Sequence, residues 1–266
     1  MIITLEKVSN ARDLGGIKTK YGTVETNRLL RSGHLSIASA NDVETLTRRN
    51  LKRIIDLRTD VEMSNHPDVT MPDVEHTNIP IISATTFGIS YETLDGQEIA
   101  VKLEAGIERM RNRGETTYLD HMRILYKNFV NSEFSRAGYG KFLKELANVP
   151  VNGATLWHCS VGKDRCGTCT ALLLHCLGAN KQQILEDYLL TNEQMLNNTE
   201  SILAKVRPFV DDGKMELIQS MLLVDESYLE SFWTEIETKY GSVDGFIAAC
   251  GVTAHDIENL RKNYLK

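Results

Sequence analysis

Long apolar runs are absent from this chain of 266 residues. No uninterrupted stretch reaches the roughly 20 residues that a helix needs to cross a bilayer, so a membrane-spanning protein is not expected. Residues 1–14 also lack a basic start followed by an apolar core, which is the pattern of a secretory signal. We therefore expect a cytoplasmic protein, and export without a leader stays open.

Features that would divide the chain into separate domains are missing as well. There is no Pro/Gly/Ser-rich linker, low-complexity tract or internal repeat, so a single domain over residues 1–266 is expected. Periodicity is weak from about residue 84 to 117, although residues 98–111 within it have helical character. A stretch of this kind in a compact domain predicts a lid or a substrate-binding insertion.

A surplus of basic residues is also absent. The formal net charge is −6, which argues against nucleic acid as a partner. If such a protein binds an anion, it has to concentrate positive charge at one place.

The most informative segment covers residues 157–167 and reads WHCSVGKDRCG. Residues 154–157 before it form a short apolar stretch, typical of a buried strand. Residues 168–177 after it are mostly apolar on every side, as in a buried helix that Gly178 ends. The pattern predicts a strand, a tight loop and a helix in that order.

That loop combines three chemical functions. Cys159 can act as a nucleophile only as a thiolate, which needs positive potential around it. Backbone N–H groups at the start of a helix supply that potential and can also cradle a phosphate. Arg165 can hold two phosphate oxygens with its planar guanidinium. The combination indicates chemistry on phosphate esters.

The loop resembles the signature of protein tyrosine phosphatases, in the His-Cys-x-x-Gly-Lys-Asp-Arg form of an atypical bacterial group. Members of that group act on phosphotyrosine and on phosphoinositides. Further stretches similar to the family are residues 10–16, 31–33, 54–58 followed by Glu62, 187–189 and 240–242. The resemblance implies an α/β fold with a central, mostly parallel sheet flanked by helices, a lid insertion and a helical C-terminal part.

A two-step covalent reaction follows for the loop residues. Cys159 is expected to attack phosphorus, and water later hydrolyses the cysteinyl-phosphate to release inorganic phosphate. Arg165 is expected to stabilise the charge that develops during transfer. The substrate is expected to be held by the loop residues Ser160, Val161, Gly162, Lys163, Asp164 and Arg165. No metal and no cofactor are required.

The leaving group needs a proton donor. The resemblance implies that Asp164, inside the cradle, is the general acid. Asp56, at the end of a predicted strand, is a second candidate. Asp56 can instead pair with Arg58 or Arg12 and hold neighbouring loops.

His158 and Lys163 complete the loop on either side of the nucleophile. His158 points to the opposite face of an extended strand from Cys159, so we expect it to be buried and to hydrogen-bond the loop. Lys163 can contact a second phosphate or an acidic head group, which fits phosphoinositide activity, or it can be a solvated lysine at the rim.

Cys166 departs from the family pattern, in which Thr or Ser follows the arginine. A thiol is a weaker donor than a hydroxyl, so slower hydrolysis of the cysteinyl-phosphate is predicted. If its sulfur takes the place of the hydroxyl, a reversible disulfide with Cys159 is a further hypothesis.

Three alternatives remain at this point. Cys166 and Cys169 match the Cys-x-x-Cys pattern of a dithiol oxidoreductase. Four cysteines within 18 residues could suggest zinc, but core packing of Cys169 and Cys176 fits their apolar helix better. A phosphate-binding module without turnover is the third. We favour the phosphatase, acting on phosphotyrosine and, as further substrates, phosphoserine, phosphothreonine or phosphoinositides; the oligomeric state is open.

Overall fold

A central sheet organises the protein, seen in a computed structural model that describes residues 1–83, 96–112, 114, 117–149 and 151–266. Within these residues, five strands pair in the order β1-β4-β7-β5-β6, and β2 and β3 form a separate hairpin. The strands are β1 (Arg12–Asp13), β2 (Lys18–Thr19), β3 (Gly22–Thr23), β4 (Leu29–Ser32), β5 (Leu51–Asp56), β6 (Glu75–Asn78) and β7 (Ala154–His158). All neighbours in the large sheet are parallel except β1 and β4, as predicted.

Helices flank this sheet and dominate the C-terminal part. They are α1 (Ala40–Arg48), α2 (Asp60–Asn65), α3 (Gly96–Asn112), α4 (Tyr118–Asn131), α5 (Glu133–Asn148), α6 (Asp164–Cys176), α7 (Lys181–Gln194), α8 (Leu196–Val206), α9 (Asp212–Leu222), α10 (Glu226–Tyr240), α11 (Val243–Ala249) and α12 (Ala254–Tyr264). None of the described helices is both long and apolar enough to cross a membrane.

The predicted insertion at 84–117 is covered only in part. Helix α3 occupies most of its second half, in agreement with the helical character of that stretch. Residues 84–95, 113, 115 and 116 lie outside the described residues, so the lid expected there stays a prediction.

Alternating side chains divide the core into two layers. Ile55 and Trp157 face the larger cluster, together with apolar residues of α4, α5, α6 and α10. Ile54 and Leu156, one position earlier on β5 and β7, face the smaller cluster on the other side. This alternation is the period of two that a strand buried on both faces requires.

A third hydrophobic cluster lies apart from these two layers. Its buried members come from α3, α8 and α9, and they are Ile99, Ala100, Ile202, Val206, Ile218 and Leu222. The C-terminal end of α9 approaches the loop that follows β7.

The carboxyl ends of the parallel strands meet at one edge of the sheet. Gly33 follows β4, Leu57 follows β5 and Cys159 follows β7 at this edge. Helix α6 begins there too, so its free N-terminal N–H groups point to the same place. Ligands in open α/β sheets bind at such an edge.

Candidate active site

The loop between β7 and α6 is folded tightly around Cys159. Gly162 has a φ of 72°, and a Cβ there would lie 2.4 Å from the carbonyl oxygen of Ser32. Only glycine fits such a left-handed residue against neighbouring backbone. Lys163, at the N-cap of α6, makes no side-chain capping hydrogen bond, so the first-turn N–H groups stay available to an anion.

Cys159 lies at the floor of this loop, where its side chain is almost fully buried. Burial alone would raise the pKa of the thiol. Hydrogen bonds from the thiol and N–H of Cys166 and from the N–H of Val161, together with the charge of Arg165, instead lower the pKa of Cys159 well below its usual value. A lowered pKa favours the thiolate of Cys159, which is the state that a nucleophile requires.

Arg165 is fixed in place by Glu62. The sequence placed Glu62 in a family-like stretch but predicted no role for it. The Arg165 Nη1 and Nη2 atoms lie 2.7 and 2.8 Å from the two Glu62 carboxylate oxygens, and Nη2 also donates to Ser160 Oγ at 2.9 Å. Burial would raise the pKa of Glu62, but these contacts lower it to about 2. Among described contacts, three of the five guanidinium N–H donors are engaged, which leaves others for a substrate.

Asp164 projects into the same pocket from the first position of α6. Its Oδ1 accepts a hydrogen bond of 2.9 Å from the hydroxyl of Tyr126, and its side chain is 25% exposed. Tyr126 in turn lies 2.7 Å, oxygen to oxygen, from Tyr188. Tyr188 lies in the family-like stretch 187–189, but nothing in the sequence marks Tyr126, and both tyrosines meet Asp164 only through the packing of α4 and α7.

Lys163 is buried against the C-terminal end of α9. Its side chain is 6% exposed, and Nζ donates to the carbonyl oxygens of Met221 at 2.7 Å and Leu223 at 3.2 Å. These carbonyls end α9, where a cation is favoured by unsatisfied C=O groups. The ammonium is thus not a solvated rim charge, and a contact of Lys163 with a second phosphate stays a prediction.

Apolar side chains form the upper wall of the pocket. The lining residues are Ile82, Leu125, Phe129, Cys159, Ser160, Val161, Lys163, Asp164 and Arg165. The loop supplies polar atoms to this pocket, and Ile82, Leu125 and Phe129 supply apolar surface. Such a site suits a phosphate carried on an aromatic ring.

A buried ion network supports the loop from behind. Asp187 on α7 binds Arg12 at 2.8 Å and Arg31 at 2.7 Å. Arg31 Nη2 then donates to the Gly162 carbonyl at 2.7 Å, and Asn10 Nδ2 donates to the same oxygen at 2.8 Å. Arg12 therefore pairs with Asp187 and not with Asp56.

Asp56 belongs to a second buried network, away from the pocket lining. Arg58 Nη2 lies 2.7 Å from Asp56 and 2.9 Å from Asp68, and His158 Nε2 lies 2.8 Å from Asp68. The predicted pairing of Asp56 with Arg58 is confirmed, and this placement disfavours Asp56 as the general acid.

His158 is buried and contacts the loop as predicted, with Nδ1 3.2 Å from the carbonyl oxygen of Cys159. Burial would lower the pKa of His158, but the carboxylates of Asp56 and Asp68 raise it. The ligand atoms of these three residues lie within 4.8 Å of one another, as in a metal site. Arg58 already balances both carboxylates, so the group does not fit a divalent cation well.

The remaining cysteines do not form a dithiol centre. Cys166 and Cys169 are completely buried unpaired thiols, and burial raises the pKa of both well above the usual value. An oxidoreductase needs an accessible thiolate of low pKa, so this alternative is not supported. Cys166 contributes to the lowered pKa of Cys159, and its sulfur also lies 3.9 Å from the carbonyl oxygen of Ser32. A disulfide between Cys166 and Cys159 stays a prediction.

The arrangement combines an ionised sulfur, a fixed guanidinium, uncapped N–H groups and a carboxyl group in one pocket. Together these groups can bind a phosphoryl group, displace an alcohol from it and supply a proton to the departing oxygen.

Comparison with known proteins agrees with this chemistry. The family model described as "Tyrosine phosphatase family" matches residues 3–266. A Cupriavidus necator protein named as a tyrosine-protein phosphatase is 28% identical over 266 residues, which cover 99% of this chain and 88% of that protein. "Triple specificity protein phosphatase PtpB" of Mycobacterium tuberculosis is 23% identical over 264 residues, covering 95% of each. Among solved structures, TpbA of P. aeruginosa has 16% identity and a TM-score of 0.31, over 75% of this chain and 91% of that one.

Proposed function

The chain belongs to the tyrosine phosphatase family, and we propose that it hydrolyses phosphate monoesters at Cys159 in two covalent steps. In the first step the Cys159 thiolate forms a bond to phosphorus, the bond from phosphorus to the ester oxygen breaks, and Asp164 gives its proton to that oxygen. In the second step water attacks phosphorus, the bond to sulfur breaks, and the Asp164 carboxylate accepts a proton from the water. The products are the alcohol and inorganic phosphate.

One observation carries this proposal. Cys159, Arg165 and loop residues between them line the same small pocket, and the contacts of the loop lower the pKa of the Cys159 thiol. Glu62 keeps the Arg165 guanidinium from rotating, so little reorganisation is needed when charge develops on the phosphoryl oxygens. His158 and Arg58 support the loop and do not touch the substrate in this scheme.

Phosphotyrosine is the favoured substrate. The apolar side chains of Ile82, Leu125 and Phe129 above the loop fit an aromatic ring. Phosphoserine, phosphothreonine and phosphoinositides are proposed as further substrates, since one relative carries the name of a triple-specificity phosphatase. Phosphorylated proteins and phosphoinositides are therefore the partners we propose.

Two broader proposals accompany this function. We infer that residues 1–266 act as one phosphatase domain, which is supported by the family match over residues 3–266. We also infer a cytoplasmic location, because a reducing compartment keeps an unpaired cysteine nucleophile active.

A substrate panel tests the proposal. Phosphotyrosine, phosphoserine and phosphothreonine peptides and phosphoinositides are incubated with wild type, Cys159→Ser and Arg165→Lys in the presence of a chelator. We expect phosphate release by wild type, greatest with phosphotyrosine, and a loss of about 1,000-fold or more in both variants.

Cys176→Ser is the matched control, because Cys176 is also a buried cysteine but packs in the core at the far end of α6. It should retain wild-type turnover. Phosphate binding without release by wild type, or full activity of Cys159→Ser, would overturn the proposed function.

A further inference from the structure

Two buried phenols form a chain of hydrogen bonds that ends on Asp164. The Tyr126 hydroxyl donates to Asp164 Oδ1 at 2.9 Å, and the Tyr188 oxygen lies 2.7 Å from that of Tyr126. Each phenol has a single hydrogen to donate. Because Tyr126 gives its hydrogen to the carboxylate, Tyr188 has to donate to Tyr126. The donors therefore run from Tyr188 through Tyr126 to the acid.

Core packing alone does not account for these hydroxyl groups. Tyr126 is 0% and Tyr188 is 1% exposed, inside the larger hydrophobic cluster, where phenylalanine rings also occur. Burying a hydroxyl costs free energy unless it is hydrogen-bonded, and phenylalanine would fill nearly the same space. Burial, and then the negative charge of Asp164, raise the pKa of both phenols well above the usual value. Both remain protonated donors over the whole range in which an enzyme works.

We propose that Tyr126, supported by Tyr188, is a positioning residue that holds Asp164 Oδ1, so that Oδ2 carries the proton given to the leaving group. This rests on the phosphatase function proposed above. A carboxyl group that is free to rotate would present either oxygen to the leaving group. Only some of its orientations would then place the proton for transfer. A fixed Oδ1 makes the carboxyl group ready for one direction of proton transfer.

Other charged and titratable groups also face Asp164. Lys163 Nζ lies 3.8 Å from Oδ2, Tyr228 on α10 is close enough for the Asp164 charge to raise its pKa, and Cys159 and Arg165 share the pocket. A phenylalanine at 126 leaves these groups unchanged. It removes the hydrogen bond from the Tyr126 hydroxyl to Asp164 Oδ1.

The test compares Tyr126→Phe with wild type on two aryl phosphates. Phenyl phosphate has a poor leaving group that needs a proton, whereas p-nitrophenyl phosphate has a good one that needs it less. We expect kcat/KM to fall about 10-fold for phenyl phosphate and less than about 2-fold for p-nitrophenyl phosphate.

Two further variants separate positioning from folding. Tyr139→Phe removes another fully buried phenol, which donates to Thr168 Oγ1 at 2.9 Å and does not touch Asp164. Any change in kcat/KM should therefore be equal for the two aryl phosphates. Tyr188→Phe should act in the same direction as Tyr126→Phe, and the double variant should be no worse than Tyr126→Phe alone.

Equal losses on both substrates in Tyr126→Phe and Tyr188→Phe would overturn the positioning role. An inactive wild type would instead remove the phosphatase function itself, so the two failures are distinguishable.

Discussion

A single sulfur atom distinguishes this active site at the scale of one residue. Cys166 follows Arg165, where the family pattern described above has Thr or Ser, and it contributes to the lowered pKa of Cys159. In the second chemical step Cys159 is the leaving group, so its negative charge has to be stabilised as the bond to phosphorus breaks. A thiol is a weaker hydrogen-bond donor than a hydroxyl. The cysteinyl-phosphate should therefore be hydrolysed slowly in this protein.

Cys166→Ser should speed that hydrolysis by about 5-fold, because the stronger donor stabilises the departing thiolate. Rapid-quench measurement of the initial burst and the steady state with an aryl phosphate separates the two steps. Cys169→Ser is the control: it makes the same exchange in a fully buried position one turn away, without a described bond to Cys159. An unchanged hydrolysis rate in Cys166→Ser, or an equal change in Cys169→Ser, would contradict this explanation.

At the scale of elements, the short helix α2 is built into the catalytic site. Glu62 forms a capping box with Thr59 at the start of this helix and binds Arg165 with the same carboxylate. Its pKa in the folded protein is about 2, below the usual value near 4.5. A lowered pKa adds stability that is complete above the unfolded value and is lost as the pH falls towards 2.

Glu62→Gln should therefore cost about 2 kcal/mol of unfolding free energy at pH 7, after allowance for partial solvent screening, and about a quarter of that near pH 2.5. Urea unfolding at both pH values measures this difference. Glu44→Gln serves for comparison, because the Glu44 pair with Arg48 is exposed and should contribute little at either pH. If the two variants lose equal stability at pH 7, the Glu62 contact with Arg165 does not stabilise the fold.

The sequence predicts most of the catalytic loop because its parts are adjacent in the chain. Cys159, Asp164 and Arg165 lie within seven positions, and the strand before them and the helix after them have clear apolar patterns. Side-chain contacts between residues far apart in the sequence were not predicted. Tyr126 reaches Asp164 across 38 positions, and Glu62 reaches Arg165 across 103. No local periodicity encodes such contacts.

Lys163 shows the same limit in another way. Long basic side chains are usually solvated, and its position in the loop favoured the rim. The carbonyl groups that bind it end a helix about 58 positions away, which the loop sequence does not reveal.

At the scale of the whole molecule, Lys163 joins the catalytic loop to the cluster formed by α3, α8 and α9. This cluster has its own small core, and the Lys163 ammonium binds the carbonyls that end α9. Hydrogen bonds from a charged donor are stronger than neutral ones. The contact should therefore hold the end of α9 next to the pocket.

Lys163→Met should loosen that attachment, so amide hydrogen exchange at residues 212–224 should become about 10-fold faster. Exchange followed by mass spectrometry gives the rates segment by segment. Lys181→Met is the appropriate comparison, since Lys181 pairs with Glu237 on the exposed surface and should leave α9 unaffected. Unchanged exchange at α9 in Lys163→Met would show that the packing of Ile218 and Leu222 holds the helix without the lysine.

The double ion pair of Asp187 has a consequence for protein synthesis. Asp187 connects Arg12 and Arg31, from the beginning of the chain, to a loop completed more than 130 residues later. A ribosome-bound chain shorter than about 190 residues lacks the carboxylate that neutralises these two buried arginines, so its loop has no firm support. Phosphatase activity should thus appear only late in translation, and prematurely terminated fragments should not dephosphorylate cellular targets.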